Sequence, residues 1–300
     1  MNRPGTTLLL ILLLQCVITA ALYWPQQDEP AAAGEQPLLA VPLTDVDSIE
    51  ITDDSGNRAH LQRSGDHWLL PELDGLPADR ERAAQLLAVL GATDHGWPVA
   101  DSPPARQRFQ VADYLHQRQI ELLANGETLA TLYLGTAPAF RKVYARNAAQ
   151  AQIYTIALNN HDVPGTDDAW LDRRLLQIRT PMSIAADGYS LHRNGNEWQL
   201  GSGGTPDPRE LDALLSALRT LQVDGIASED SQRELADTEA ELVLAIDSLA
   251  GHVTLELFQL DDQYFVLSSE FPHFFRLGAY HFDRLTGIDA FLLAGPPPQP

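Results

Sequence analysis

The sequence predicts an α+β fold: two tandem repeats of antiparallel β-sheet with packed helices, preceded by one N-terminal transmembrane helix. Three observations carry this. The chain opens on a long uncharged apolar run, a hairpin pattern recurs at a fixed offset of 130 residues, and a capped Leu-rich helix follows each copy.

Thr6–Trp24 reads TTLLLILLLQCVITAALYW, with Gln15 its only strongly polar residue. Nineteen residues in a helix span about 28 Å, close to the hydrocarbon thickness of a bilayer. Arg3 precedes the run, so the positive-inside rule keeps the N-terminus cytoplasmic and exports the body. Tyr23 and Trp24 fall at the far end, where aromatic rings favour the membrane interface. Residues 1–24 thus read as a membrane anchor or uncleaved signal in the inner membrane. Two other readings stay open. Thr19-Ala20-Ala21 offers small residues for signal cleavage, and Leu13-Leu14-Gln15-Cys16 has the outline of a lipoprotein signal, with Gln15 where a small residue belongs. Residues 25–42, rich in Pro, Ala, Gln and acids, read as a tether.

The formal net charge is −21, and since Arg3 is the only charged side chain before residue 25, the remainder carries −22. Such a body repels phosphate backbones, so nucleic acid is not an expected partner. It also repels anionic headgroups, so membrane attachment has to come from insertion. Cys16 is the only cysteine and Lys142 the only lysine, which leaves the body without thiol chemistry.

The first repeat is expected over residues 43–180 and the second over 181–294, with a disordered tail at 295–300. Leu61, Arg63, Gly65, Trp68 and Leu70 match Leu191, Arg193, Gly195, Trp198 and Leu200 as L-x-R-x-G-x-x-W-x-L. Alternation around a polar Gly turn describes a β-hairpin. In the second half Asp207-Pro208-Arg209-Glu210 starts a helix, with Asp207 as cap and Glu210 completing a capping box. Leu211, Leu214, Leu215, Leu218 and Leu221 make its stripe, as Ala83, Leu86, Leu87 and Leu90 do after Asp79. Strand pairs follow at Gln119–Ala124 and Thr128–Leu134, and at Glu241–Asp247 and Val253–Leu260. Shorter strands come at Val143–Arg146, Ile153–Ala157, Tyr264–Ser268 and Phe274–Leu277. A helical segment is expected to end each half, near Asp168–Leu176 and Phe282–Leu292.

Several of these features occur in a recognisable order. They are Gly65 and Trp68, the D-x-x-x-(apolar)-x-x-L-L helix from Asp79, Arg108-Phe109, Leu134-Gly135, Val143-Tyr144-Ala145-Arg146 and Trp170-Leu171-Asp172. Over about residues 45–290 the chain resembles the bacterial domain-of-unknown-function 4340 family. The resemblance implies an N-terminal membrane helix followed by this domain, and genes beside ABC-type transporter components similar to those of gliding-motility systems. It implies no catalytic residues. Pro138-Ala139-Phe140 fills a loop after Leu134-Gly135 that is shorter here than in the family.

The residues hold no familiar catalytic set. Nine histidines are scattered, without HExxH and without an i, i+4 pair. His281 and Asp283 could form a metal or acid/base pair, but strand alternation near a helix start accounts for them without a site. Asp53-Asp54-Ser55-Gly56-Asn57 has the oxygen density of a calcium loop without EF-hand spacing, and reads as a hairpin turn. Gly201-Ser202-Gly203-Gly204 lacks a following Lys and reads as a linker. Asp167-Asp168 read as capping charges. Phe271-Pro272-His273-Phe274 is the candidate interaction surface if exposed. No catalytic residue, cofactor or metal is expected. The expected function is a non-enzymatic, extracytoplasmic accessory or scaffold module, working with ABC-type transporter subunits or an envelope assembly. A ligand-binding module for a glycan or envelope component, using a groove between the repeats, is the alternative, and a hydrolase with an unrecognised site the third.

Overall fold

The computed structural model describes residues 37–295 and the single position Gln15. The anchor expected at Thr6–Trp24 with Tyr23 and Trp24, the part of the expected tether before Pro37 and the tail expected after Gly295 lie outside the described residues. Among the described residues no helix is long and apolar enough to cross a membrane.

The regular structure of the described residues is mainly antiparallel β-sheet, with few helices. The first half supplies β1 (Ser48–Asp53), β2 (Arg58–Ser64), β3 (His67–Leu70), β4 (Leu76–Pro77), helices α1 (Arg80–Leu90) and α2 (Pro103–Arg108), the small pair β5 (Val111–Ala112) and β6 (Leu115–His116), then β7 (Arg118–Ala124), β8 (Glu127–Leu134), β9 (Val143–Asn147) and β10 (Ile153–Ile156). The second half supplies β11 (Pro181–Ala186), β12 (Tyr189–Asn194), β13 (Glu197–Leu200), α3 (Pro208–Arg219), β14 (Val223–Ile226), α4 (Glu229–Leu235), β15 (Leu242–Ser248), β16 (Gly251–Leu260), β17 (Gln263–Ser268), β18 (Phe274–Leu277), α5 (Ala279–Thr286) and α6 (Ala290–Ala294).

Sheet 1 runs β10-β9-β8-β7-β1-β2-β3-β4, and sheet 2, read from its corresponding edge, β14-β18-β17-β16-β15-β11-β12-β13. Seven strands of each sheet therefore follow one order. The first hairpin of each half sits beside the long hairpin that comes after the helix. They differ at the edges: β4 extends sheet 1 beyond β3, and β14 extends sheet 2 beyond β18.

Local chemistry accounts for these elements. Ile49, Ile51, Ala59, Leu61, Trp68 and Leu70 alternate inward along β1 to β3 and are buried. Asp79 accepts from the N–H groups of Glu81 and Arg82, and Asp207 from those of Arg209 and Glu210. The capping box at Glu210 does not close, because the Asp207 N–H donates to the Leu293 carbonyl at 2.7 Å. One hydrophobic cluster runs through both halves, from Leu38 to Leu293. A smaller one, built on Ala105, Val111, Tyr133 and Ile153, covers the opposite face of sheet 1. Arg146 serves that face. It is 4% exposed, lies over the Tyr133 ring, and donates to the carbonyls of Val111, Asn147, Ala148 and Gln150. Burial holds its guanidinium below the usual arginine range.

Two expectations need correction. Residues 38 and 39, expected within the tether, belong to the folded body: Leu38 and Leu39 are buried, and the Asn147 side-chain amide donates to the Leu38 carbonyl at 2.9 Å. The helix expected near Asp168–Leu176 is one 3-10 turn, Asp167–Trp170. Backbone pairing across the molecule competes with helix there. Leu171 bridges Ala78, the Asp172 N–H donates to Pro77, and the Arg173 carbonyl accepts from Val223.

The two matched tryptophans share an element and a register: Trp68 faces Arg63 across β2–β3, and Trp198 faces Arg193 across β12–β13. Their burial differs. Trp68 is 6% exposed, whereas Trp198 is half-buried. Trp68→Ala is therefore expected to cost about 3–5 kcal/mol in chemical denaturation, and Trp198→Ala only about 1–2 kcal/mol. Equal losses would contradict the burial difference.

Candidate functional site

A hollow lies beside the connector where the two sheets are joined. The start of α1 provides Asp79, Glu81 and Arg82. The connector between the repeats provides Ala169, Leu171, Asp172, Arg173 and Arg174, and Gln222 closes the wall ahead of β14. The cleft measures about 450 Å³.

Its charges are mostly committed. Asp79 caps α1. Arg174 reaches Asp172 through Nε and Glu81 through Nη1, each at 3.4 Å. Asp172 first, then Glu81, raise the pKa of Arg174 and keep it protonated. Arg82 stacks 5.4 Å from the centre of the Trp170 ring and donates to the Ala169 carbonyl. Arg173 is exposed, and among the described residues no acid lies within ion-pair distance of it. A guanidinium facing solvent at the rim suits a carboxylate or a polar polypeptide segment.

Two neighbouring aspartates fix the walls. Asp167 accepts from the His60 N–H of β2 at 2.8 Å, and its burial raises its carboxyl pKa. Asp168 accepts from the Ile226 N–H of β14 at 2.8 Å and from Arg276 of β18 at 3.1 Å. Consecutive acids thus grip opposite sheets and do not cap a helix, which corrects the capping expectation; the 3-10 turn has no side-chain cap. Gly225 permits this approach. Its φ is +147°, and a Cβ there would stand 2.6 Å from both Asp168 carboxylate oxygens.

The sequence-derived candidates fall elsewhere. Of Phe271, Pro272, His273 and Phe274, only Pro272 is exposed. Phe271 packs edge-on against Phe275, Phe274 against Phe258, and His273 Nε2 stands 3.0 Å from Asp74 of the first half. These rings are spent on packing and on a contact between the halves. His281 and Asp283 are two apart on α5, so they point to different sides of the helix. Burial lowers the His281 pKa, while Asp224 opposes that shift. Asp53 accepts from the N–H groups of Ser55 and Asn57 and from the Asn57 amide, as a hairpin turn requires. Burial acts to raise its pKa, but these hydrogen bonds, helped by Arg118, lower it. In Gly201–Gly204 the N–H groups of Gly201 and Gly203 donate to Ser190 and Leu200, so the turn is closed on itself. Among the described residues no group of three or more His, Cys, Asp or Glu is placed to hold a metal ion.

Sequence reasoning missed the cleft. Its one local signal was the Arg173-Arg174 pair directly after Trp170-Leu171-Asp172, in a chain otherwise dominated by acids.

No curated protein and no solved structure matches the chain. One family model does, described as Domain of unknown function (DUF4340), over residues 68–241. That range begins at Trp68 in β3, takes in Gly135, Arg146 and the whole connector, and stops just before β15. It covers more than half of the chain and includes the cleft with all the residues that line it, so the chain belongs to the DUF4340 family.

Proposed function

We propose that the protein is a non-enzymatic extracytoplasmic accessory module of an ABC-type transporter or envelope assembly. Thr6–Trp24 tethers it to the inner membrane, and the cleft between the sheets receives a polar, carboxylate-bearing segment of its partner. The observation that carries this reading is the cleft itself, built on α1 and the connector with Gln222 of the second half in its wall, and rimmed by an uncommitted arginine in a chain of net charge −21. Small-molecule pockets of about 300–1,000 Å³ are lined mainly by apolar and aromatic side chains. A cleft of 450 Å³ walled by three arginines and three acids favours a polar polypeptide over a compact ligand.

Arg173→Glu tests it. The side chain is exposed and bears no ion pair among the described residues, so the fold should be unaffected. Complementation of a deletion strain should fail at normal protein abundance. A photoreactive residue at position 173 should capture a transporter or envelope subunit that one at Val243, on sheet 2, does not. Loss of a single charge-assisted contact corresponds to about tenfold or more in affinity. Full complementation by Arg173→Glu would remove the cleft from the function. Lost function with partner capture intact would move the reading to a hydrolase.

A further inference from the structure

The chain enters sheet 1 at one defined place. The Gln150 side chain donates to the Pro37 carbonyl at 3.5 Å and Asn147 to Leu38 at 2.9 Å, so the entry point is the turn between β9 and β10. The segment Gly96–Ala100 is locked to the same edge. The Val99 N–H donates to Ile153 at 2.8 Å, and the Ile153 N–H to Ala100 at 2.7 Å. Neither Gly96–Ala100 (GWPVA) nor Asn147–Gln152 (NAAQAQ) carries a charge. Trp97 is 76% exposed and Val99 47%. An uncharged edge bearing two exposed apolar side chains, Trp97 and Val99, therefore surrounds the point where the chain arrives from its apolar run.

We infer that this edge rests on the bilayer surface, with the Trp97 ring in the headgroup region; the inference depends on the anchoring proposed above. Length supports it. The thirteen links from Trp24 to Pro37 reach at most about 45 Å when fully extended. A body of about 260 residues is roughly 45 Å across, taking its radius of gyration as about 18 Å. Even at full extension these links are no longer than the body is wide, so the end that holds Pro37 is the end kept near the membrane. Charge supports it as well. An acidic end would be repelled by anionic lipid, and this edge has no acid between Asp94 and Asp101. Those two acids bracket the loop and keep insertion shallow, as does Glu127 further along the sheet. Tryptophan, apolar in body and polar at its N–H, suits that depth.

The test uses the full chain in a Cys16→Ser background, which leaves no other thiol. Trp97→Cys and, separately, Leu249→Cys carry an environment-sensitive fluorophore. Leu249 is also 76% exposed, but lies on sheet 2, so it matches Trp97 in accessibility. Each variant is reconstituted in phosphatidylcholine vesicles containing headgroup-nitroxide lipid, with no partner present. The label at 97 should be blue-shifted and quenched several-fold more than the label at 249. Equal quenching, with the chain retained on the vesicles through an alkaline wash, overturns the docked edge and leaves the anchor standing. In that case crosslinking of position 97 to a membrane subunit in cells would assign the edge to a protein. A chain that washes off the vesicles overturns the anchor and this inference together.

Discussion

Trp170→Ala is expected to cost about 3–5 kcal/mol, a large share of the stability of a typical domain. Trp170 is fully buried at the centre of the connector. Its indole N–H donates to the Pro164 carbonyl at 2.9 Å, and its own carbonyl accepts from Asp79 at 2.7 Å, at the cap of α1. Removing the ring leaves a cavity between the sheets and takes the stacking surface from Arg82, which lines the cleft. The damage should extend from stability to binding. In a thermal scan of the intact protein the midpoint should fall by about 10 °C or more. Trp170→Phe, which keeps most of the ring volume, should recover much of the loss. A Trp170→Ala midpoint close to the parent's would mean that the halves are held together without the connector.

Gly135→Ala adds one methyl group, yet about 3 kcal/mol or more of destabilisation is expected, at or above the upper end for overpacking. An added Cβ would lie 1.9 Å from the Phe109 carbonyl oxygen and 2.6 Å from that of Gln110. Both are backbone atoms, so no side-chain rotation relieves the clash. The end of β8 and the 109–112 segment must separate. That breaks the Thr136 N–H bond to Phe109 at 3.0 Å, the Phe109–Tyr144 ring contact at 4.1 Å and the Arg146 bond to Val111 at 2.8 Å. The loss should be local at first. Hydrogen exchange at Val111 and Ala112 should accelerate in Gly135→Ala before the strands at the centre of sheet 1 open. Unchanged protection there would show that the segment can shift freely. This approach of two backbones gives the Leu134-Gly135 pair its physical reason: any side chain at 135 would occupy the space of the neighbouring peptide.

What the sequence determined by itself was whatever depends on residues close along the chain. Period-two alternation placed the longer strands of both sheets, generally to within two residues. Asp79 and Asp207 marked where two helices begin, and the polar Gly turns at Gly65 and Gly195 closed the first hairpin of each half. Each of these results from a side chain acting on backbone within four residues or on the face of its own strand. Short elements escaped the pattern. β14 is four residues long with Gly225 inside it, and α4 carries too few apolar positions to show a stripe.

Only the tertiary structure decided how the halves meet. Asp167 finds its partner 107 residues away in His60, and Asp168 finds Ile226 58 residues away. No periodicity encodes such distances. An acid beside a helical pattern looks like a cap until the fold supplies a stronger donor. The aromatic run at Phe271–Phe274 was a candidate surface only if exposed, because composition does not say which rings face inward. The sheets settled that by closing Phe274 against Phe258 and His273 against Asp74. The cleft has the same origin: its arginines and acids come from the start of a helix, a connector and the approach to a strand, and backbone pairing of Leu171, Asp172 and Arg173 brings them to one place.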